Sequence, residues 1–424
     1  MSTGAPQLAE LVNRYGSPLY VYHLAQVTAA WNALRDALPP SATAFYSLKA
    51  NPHPGLAAHL RTLGARAEVS SLGELRVSVA AGFPAAQTLM TGPAKTGRLL
   101  GGALAIGCRL FSVESSAELA RLSAEAETVG ATVTALLRVN VDDAVRSAGL
   151  SLGGVPSQFG TDLSLLLDAL GEGELPAGGP VQVAGAHFFL ATNLADEAAL
   201  VACFGRVVAA AARLERAGMP MSVLDLGGGF GAPYGTPGPL PSYGRLRDGL
   251  HAILREVWPR WPEHGPELWF ESGRYLVGTA GTLAATVVEV KHSKGERFVI
   301  LNSGIHHLGG MAGLRRLPQL DLTVCSAVAE AGEPAPAPIR VVGPLCSTLD
   351  SWSLRASSLR DARPGDIVCV PNVGAYGLSA SLLAFLSHDC PVEVVVSEAG
   401  DVHGSRLVVD RRAIKPETRS GDKA

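Results

Sequence analysis

Between residues 43 and 272, eight short apolar runs alternate with Ala/Leu-rich segments of helical spacing, and this alternation constrains the fold most. The runs read TAFYSL, ARAEVS, TLMTG, CRLFSV, TALLRVN, VQVAGAHFF, SVLDL and ELWFES. Strands alternating with helices imply βαβ units and a parallel sheet. Eight of them fit an α/β fold of the (β/α)8, TIM-like type, with functional residues at the C-terminal ends of the strands. After Arg274 the pattern changes. GTLAATVVEVKHS, RFVILNSG, DLTVCSAV, PIRVVG, DIVCVPN and PVEVVVSEAG follow with turn signals between them and almost no helix, which predicts an all-β barrel or sandwich. SPLYVYH near the N-terminus also reads as a strand and is expected to join that domain. The expected division is a barrel over 25–274, a β domain built from 1–24 and 275–412, and a polar, disordered tail over 413–424.

Composition excludes several classes of function. The net charge of −3 offers no basic field for nucleic acid or anionic lipid. The first residues lack the charged and apolar regions of a secretion signal, and no apolar run is long enough to span a bilayer. Six scattered cysteines without a CxxC pair are expected to be reduced thiols of a cytoplasmic protein and to bind no metal. Lysine occurs only at 49, 95, 291, 294, 415 and 423, so a lysine in an apolar setting is notable.

Five segments carry residues of chemical interest. Phe45-Tyr46-Ser47-Leu48-Lys49 ends the first barrel run on a lysine. It is either a surface cap or a desolvated amine of lowered pKa suited to imine formation. Leu224-Asp225-Leu226-Gly227-Gly228-Gly229 puts three glycines after the seventh run, where backbone N–H groups can close round a phosphate. A tight turn would look the same. The eighth run ends Phe270-Glu271-Ser272-Gly273-Arg274, an acid and a base that also suit a surface ion pair. In the β region, Gly343-Pro344-Leu345-Cys346-Ser347-Thr348-Leu349-Asp350 and Gly374-Ala375-Tyr376-Gly377 read, taken singly, as packing.

Together and in this order, these segments resemble the fold-type III pyridoxal-phosphate decarboxylases, the group of diaminopimelate, ornithine and arginine decarboxylases. The resemblance spans roughly residues 16–400. It implies pyridoxal 5'-phosphate bound as a Schiff base on Lys49, with Glu68 beside it and Arg138 near the cofactor. It further implies that Gly227, Gly228 and Gly229 cradle the phosphate with Arg274 and Tyr376, and that Glu271 pairs with the pyridine nitrogen. Cys346, delivered from the partner chain of a homodimer, would return the proton. Ser347 and Asp350 would face substrate.

Two departures from the family pattern narrow the substrate. In Gly185-Ala186-His187-Phe188-Phe189-Leu190-Ala191-Thr192 the ring-stacking histidine is replaced by Phe189, and the phosphate-contact serine by Thr192. His187 faces the same side by strand alternation; it is either a substitute stacking residue or a core histidine. Ser347 stands where diamine-forming members carry an acid for the distal ammonium, and the Tyr-Asn-x-Arg segment typical of diaminopimelate decarboxylases is missing. Several segments, including Gly304-Ile305-His306-His307, resemble instead the branch acting on acidic aminoacyl groups tethered to a carrier protein. That branch includes the butirosin glutamyl-carrier-protein and the macrolactam aspartyl- and 3-methylaspartyl-carrier-protein decarboxylases. It implies an acyl carrier protein as partner in antibiotic biosynthesis; because such carriers are usually acidic, Arg315 and Arg316 are read either as a basic docking point or as a solvated loop. A free-amino-acid decarboxylase and a cofactor-less regulatory homologue are the alternatives.

Overall fold

The computed structural model describes residues 5–141, 155–173, 179–309, 323–324, 339–352 and 359–412. Eight parallel strands close into a barrel: Thr43–Ser47, Arg66–Val69, Leu89–Met90, Leu110–Val113, Val133–Asn140, Val181–His187, Val223–Asp225 and Glu267–Ser272. They are the eight apolar runs in order. A helix, Leu24–Ala37, precedes them. Local chemistry starts several of the outer helices. Ser71 and Ser115 cap theirs by accepting from the amides of Glu74 and Glu118, at 3.1 and 3.2 Å. Such caps contribute about 1 kcal/mol each.

Strand alternation explains where the polar residues go. Phe45, Leu89, Leu136, Val223 and Trp269 form a separate apolar cluster contributed by five barrel strands. Two residues further along their strands, on the same face, stand Ser47, Thr91, Arg138, Asp225 and Glu271. An apolar layer therefore supports a polar layer at the C-terminal end of the barrel.

The second unit is a sheet ordered Ser351–Trp352, Ile339–Val342, Glu296–Leu301, Gly281–Ser293, Leu19–His23, Val392–Val396 and Val402–Arg406, with Ile367–Val370 also paired to Gly281–Ser293. Leu19–His23 is the N-terminal strand expected to join it. The sequence reading missed a helix, Ala5–Tyr15. Its Leu8, Leu11 and Val12 cover Leu19, Val21, Ala284 and Val394. Cys369 is disulfide-bonded, so the expectation of six reduced thiols fails there. Cys108, Cys203, Cys346 and Cys390 are free. Among the described residues no helix is long and apolar enough to cross a membrane. The tail over 413–424 lies outside the described residues.

The two units meet at the C-terminal end of the barrel strands. A Cβ on Gly374 would collide with the Val277 carbonyl, so only glycine allows this approach. The Asn51 side-chain amide donates to Gly374 O at 2.8 Å, and Tyr376 N donates to Ala50 O at 2.7 Å. This junction holds Tyr376 beside the turn that carries Lys49, with Tyr376 at φ +54°.

Candidate active site

Lys49 lies in a short turn, Leu48–Ala50, directly after the first barrel strand. Its Nζ is 2.9 Å from Glu68 Oε2 and 3.8 Å from Glu271 Oε2. Its side chain keeps 38% of its exposure and lines a cavity of about 340 Å³. The lowered lysine pKa expected from the sequence is corrected here. Burial pushes Lys49 down, but the Glu68 and Glu271 carboxylates outweigh it and hold the ammonium above its ordinary value. Burial likewise works to raise Glu68, yet Lys49 and the hydroxyls around it lower it overall. Thr91 donates to Glu68 Oε1, and Ser70 donates to the same oxygen at 3.4 Å.

Glu271 is 3% exposed, and burial together with Glu68 and Asp225 raises it well above the usual carboxylate range. His187 is 1% exposed and sits in the cavity wall beside Glu271, with Nε2 at 3.3 Å from Glu271 Oε1 and Nδ1 at 2.6 Å from Ser112 Oγ. Phe189 instead puts its ring 5.9 Å from Lys49 Nζ, and a Cβ on Gly227 or Gly228 would press on that ring. Phe189 is therefore the flat surface beside the lysine.

Gly227 has φ +68°, and a Cβ there would also collide with the carbonyl of Phe188; at Gly228 it would meet the carbonyl of Glu271. The loop can thus lie against two strand ends only as glycine. The segment holding Thr192 runs alongside it, through Leu194 N donating to Gly229 O at 2.8 Å. Thr192 itself is half-buried. The Arg274 guanidinium stacks 4.7 Å from the Tyr376 ring, and its buried Nε has no hydrogen-bond partner.

Arg138 forms an ion pair with Glu114 at 3.1 Å and lies 4.6 Å over the Phe159 ring. Behind it, Lys95 and Glu118 make a 2.8 Å pair of almost wholly buried side chains. Sequence reasoning missed Ser112, Glu114, Glu118, Phe159 and Asp225. Lys95 carries one signal in the sequence, the scarcity of lysine.

Cys346 is exposed on the loop joining Ile339–Val342 to Ser351–Trp352, and it is not among the described residues lining the cavity. Ser347 is half-buried next to it, its Oγ accepting from Leu349 N at 3.2 Å. The substrate contact expected of Asp350 is corrected. Its carboxylate points inward, with Oδ1 accepting from Ile305 N and Oδ2 from Leu345 N, both at 2.8 Å. Both oxygens hold the loop in place. Arg315 and Arg316 lie outside the described residues.

The residues fit pyridoxal phosphate. Lys49 offers an amine at a cavity wall, Glu271 a buried carboxylate with an unpartnered oxygen, and Phe189 a ring face. The glycine loop packs against the carbonyl of Glu271, three residues before Arg274, and offers backbone N–H groups suited to a phosphate. Residues 24–278 match the family described as pyridoxal-dependent decarboxylase, pyridoxal binding domain. The L-glutamyl-[BtrI acyl-carrier protein] decarboxylase of Niallia circulans is 30% identical over 402 residues, 93% of this chain and 92% of that protein. The diaminopimelate decarboxylase of Zymomonas mobilis is 30% identical over 426 residues, 98% and 95% of the two chains. The crystal structure of diaminopimelate decarboxylase from M. jannaschi superposes with a TM-score of 0.82 at 25% identity, covering 94% of this chain and 91% of that one. The chain belongs to the pyridoxal-dependent decarboxylases, carboxy-lyases that work with pyridoxal phosphate.

Proposed function

We propose that this enzyme removes the α-carboxylate of an acidic aminoacyl group, aspartyl, 3-methylaspartyl or glutamyl, held as a thioester on an acyl carrier protein in secondary-metabolite biosynthesis. The observation that carries this reading is the loop after Cys346. Ser347 supplies no charge, and the acid that follows, Asp350, has both oxygens committed to backbone amides. A distal ammonium would find no counter-charge there, at a cost of roughly 3–5 kcal/mol in a buried site. A thioester is neutral at its distal end and needs none. The glutamyl-carrier-protein decarboxylase relative supports the same choice. A free-amino-acid substrate remains the second reading, because diaminopimelate decarboxylases match at equal identity.

In this reading pyridoxal phosphate, when bound, supplies an electron sink for the pair left behind by the departing carboxylate. Lys49 would hold the cofactor through its amine, and Glu68, 2.9 Å from Nζ, orients that lysine. The glycine loop, Arg274, Tyr376 and Thr192 would hold the phosphate, and Phe189 would offer a flat face to the ring. Glu271 keeps a proton at the ring nitrogen, since a nearby opposite charge favours the protonated form. Arg138, neutralised by Glu114, closes the wall without adding net charge. Cys346 would act across a homodimer interface, giving its proton to the α-carbon as a general acid.

The test compares one acyl group presented as free amino acid, pantetheine thioester and carrier-protein thioester. The expected order of kcat/KM is rising, because a remote arm supplies binding energy that lowers the barrier. Equal efficiency on all three would remove the tether. Efficient turnover of a free diamino acid would replace this reading with the second.

A further inference from the structure

Three buried polar side chains converge at the ends of the sixth, seventh and eighth barrel strands, and the cofactor contacts leave two of them, His187 and Asp225, unexplained. His187, Asp225 and Glu271 offer atoms that all lie within 4.8 Å of one another. His187 Nε2, Asp225 Oδ2 and Glu271 Oε1 have no well-formed hydrogen bond. The fourth member, Ser112, is fully buried and holds His187 Nδ1 at 2.6 Å. Ser112 and His187 end the fourth and sixth barrel strands, so both are fixed by the sheet rather than by a loop.

Two carboxylates this close cannot both ionise freely. Burial raises Asp225 to about 7, and burial with the charges of Glu68 and Asp225 raises Glu271 well above its ordinary value, so the two acids compete for one proton. Burial, with Arg138 and Lys49 next, keeps His187 well below its ordinary value, so the imidazole is neutral. A neutral imidazole acts through its tautomer, which is set by the hydrogen bond its other nitrogen makes. If the Ser112 hydroxyl donates to Nδ1, the ring hydrogen stands on Nε2 and faces Glu271. The opposite tautomer would aim a bare lone pair at the Glu271 carboxylate. At 3.3 Å the contact is long, as such contacts often are before the ligand is in place.

We propose that Ser112 and His187 are a positioning pair that gives Glu271 an N–H partner from behind, keeping its carboxylate ionised and aimed at the ring nitrogen of the cofactor. Asp225 then takes the proton that the two acids cannot both lose, while its Oδ1 stays tied to Gly227 N at 2.8 Å. This links the nitrogen site to the first residue of the glycine loop. The inference rests on Glu271 being the partner of the ring nitrogen.

The experiment strips the full-length chain of cofactor and measures binding of two aldehydes, pyridoxal phosphate and its analogue with CH in place of the ring nitrogen. The wild type should prefer pyridoxal phosphate. His187→Leu should cut that preference roughly 10- to 100-fold, the scale of a hydrogen bond to a charged group, while leaving the analogue's affinity within about threefold. His187→Gln, which keeps a donor, should restore most of the preference. Ser112→Ala should reduce it by a smaller factor, roughly threefold to tenfold. Equal losses for both ligands in His187→Leu would show a packing role and overturn the proposal. If that variant does not fold, an unchanged ratio in Ser112→Ala overturns it. A full preference retained in Glu271→Gln would instead defeat the assignment of Glu271 to the nitrogen.

Discussion

Lys49 Nζ stands 2.9 Å from Glu68 Oε2, and the carboxylate is wholly buried while the lysine remains partly open to the cavity. The charge that stabilises the ammonium is therefore fixed in the barrel wall, and the amine is the part free to exchange partners. Lys49→Ala should abolish turnover and the visible absorbance of the bound cofactor, with the circular-dichroism spectrum unchanged. It also leaves Glu68 and Glu271 without their cation, so those acids should take up protons at higher pH than in the wild type. Full activity in that variant would remove the cofactor assignment.

Asp350 is expected to act on stability. Replacing it with Ala leaves the amides of Ile305 and Leu345 unpaired, at about 1–3 kcal/mol each when buried. Asp350→Asn keeps one acceptor and should lose less. Thermal unfolding checks this. A normal melting temperature with a raised KM would return Asp350 to the substrate.

His306 gives a pH prediction of defined sign. It is 1% exposed, neither ring nitrogen has a hydrogen-bond partner among the described residues, and burial with His307 and His388 lowers it to about 3. An unfolded histidine takes up its proton near pH 6.5. As pH falls from about 6.5 towards 3, the unfolded chain binds the proton first, so stability is lost across that window, by about 1.4 kcal/mol per pH unit from this residue. His306→Phe should flatten that slope and cost nothing at pH 7. An unaltered slope in denaturant melts across the range would show that His306 is not the group responsible.

The barrel was legible because each strand carries its own local signal, and the glycine loop because only glycine tolerates its contacts with Phe188 and Glu271. The interior polar layer was half legible. Lys49 and Glu271 stand at strand ends inside recognisable segments. Ser112 and Asp225 gain meaning only when strands far apart in sequence close the ring and bring them to His187 and Glu271. The strand parity that placed His187 on the side of Phe189 did not show its depth. Asp350 was misread because its sequence position is beside the loop cysteine, whereas its carboxylate turns towards Ile305. The Ala5–Tyr15 helix was missed because its apolar stripe is short and becomes informative only against the strand Leu19–His23.

Cys346→Ala should slow product formation by roughly 10²–10⁴-fold, the usual contribution of a placed general acid, with cofactor binding unchanged. The cysteine is exposed and outside the described cavity lining, which suits delivery from a partner chain. Mixing Lys49→Ala with Cys346→Ala subunits should restore about one quarter of wild-type activity, since half of the symmetric dimers would hold one complete site. No recovery despite demonstrated subunit exchange would count against a shared site.

Ser347→Asp tests substrate choice directly. The serine lies beside the proposed acid, and its hydroxyl already accepts from Leu349 N, so the position is ordered. An added carboxylate would face a neutral thioester and lose solvation without gaining a partner, whereas a diamino acid would supply the missing ammonium. Removing one member of a buried ion pair costs roughly 3–5 kcal/mol, about 10²–10³-fold or more in affinity. The variant should therefore lose kcat/KM on the carrier-linked acyl group and gain it on free ornithine or lysine, moving their ratio by at least tenfold. The asymmetry matters, because a merely disturbed loop would lower both. A ratio that stays constant while both rates fall would mean that residue 347 does not meet the distal end of the substrate, and the choice between tethered and free substrates would then rest on the three-form assay alone.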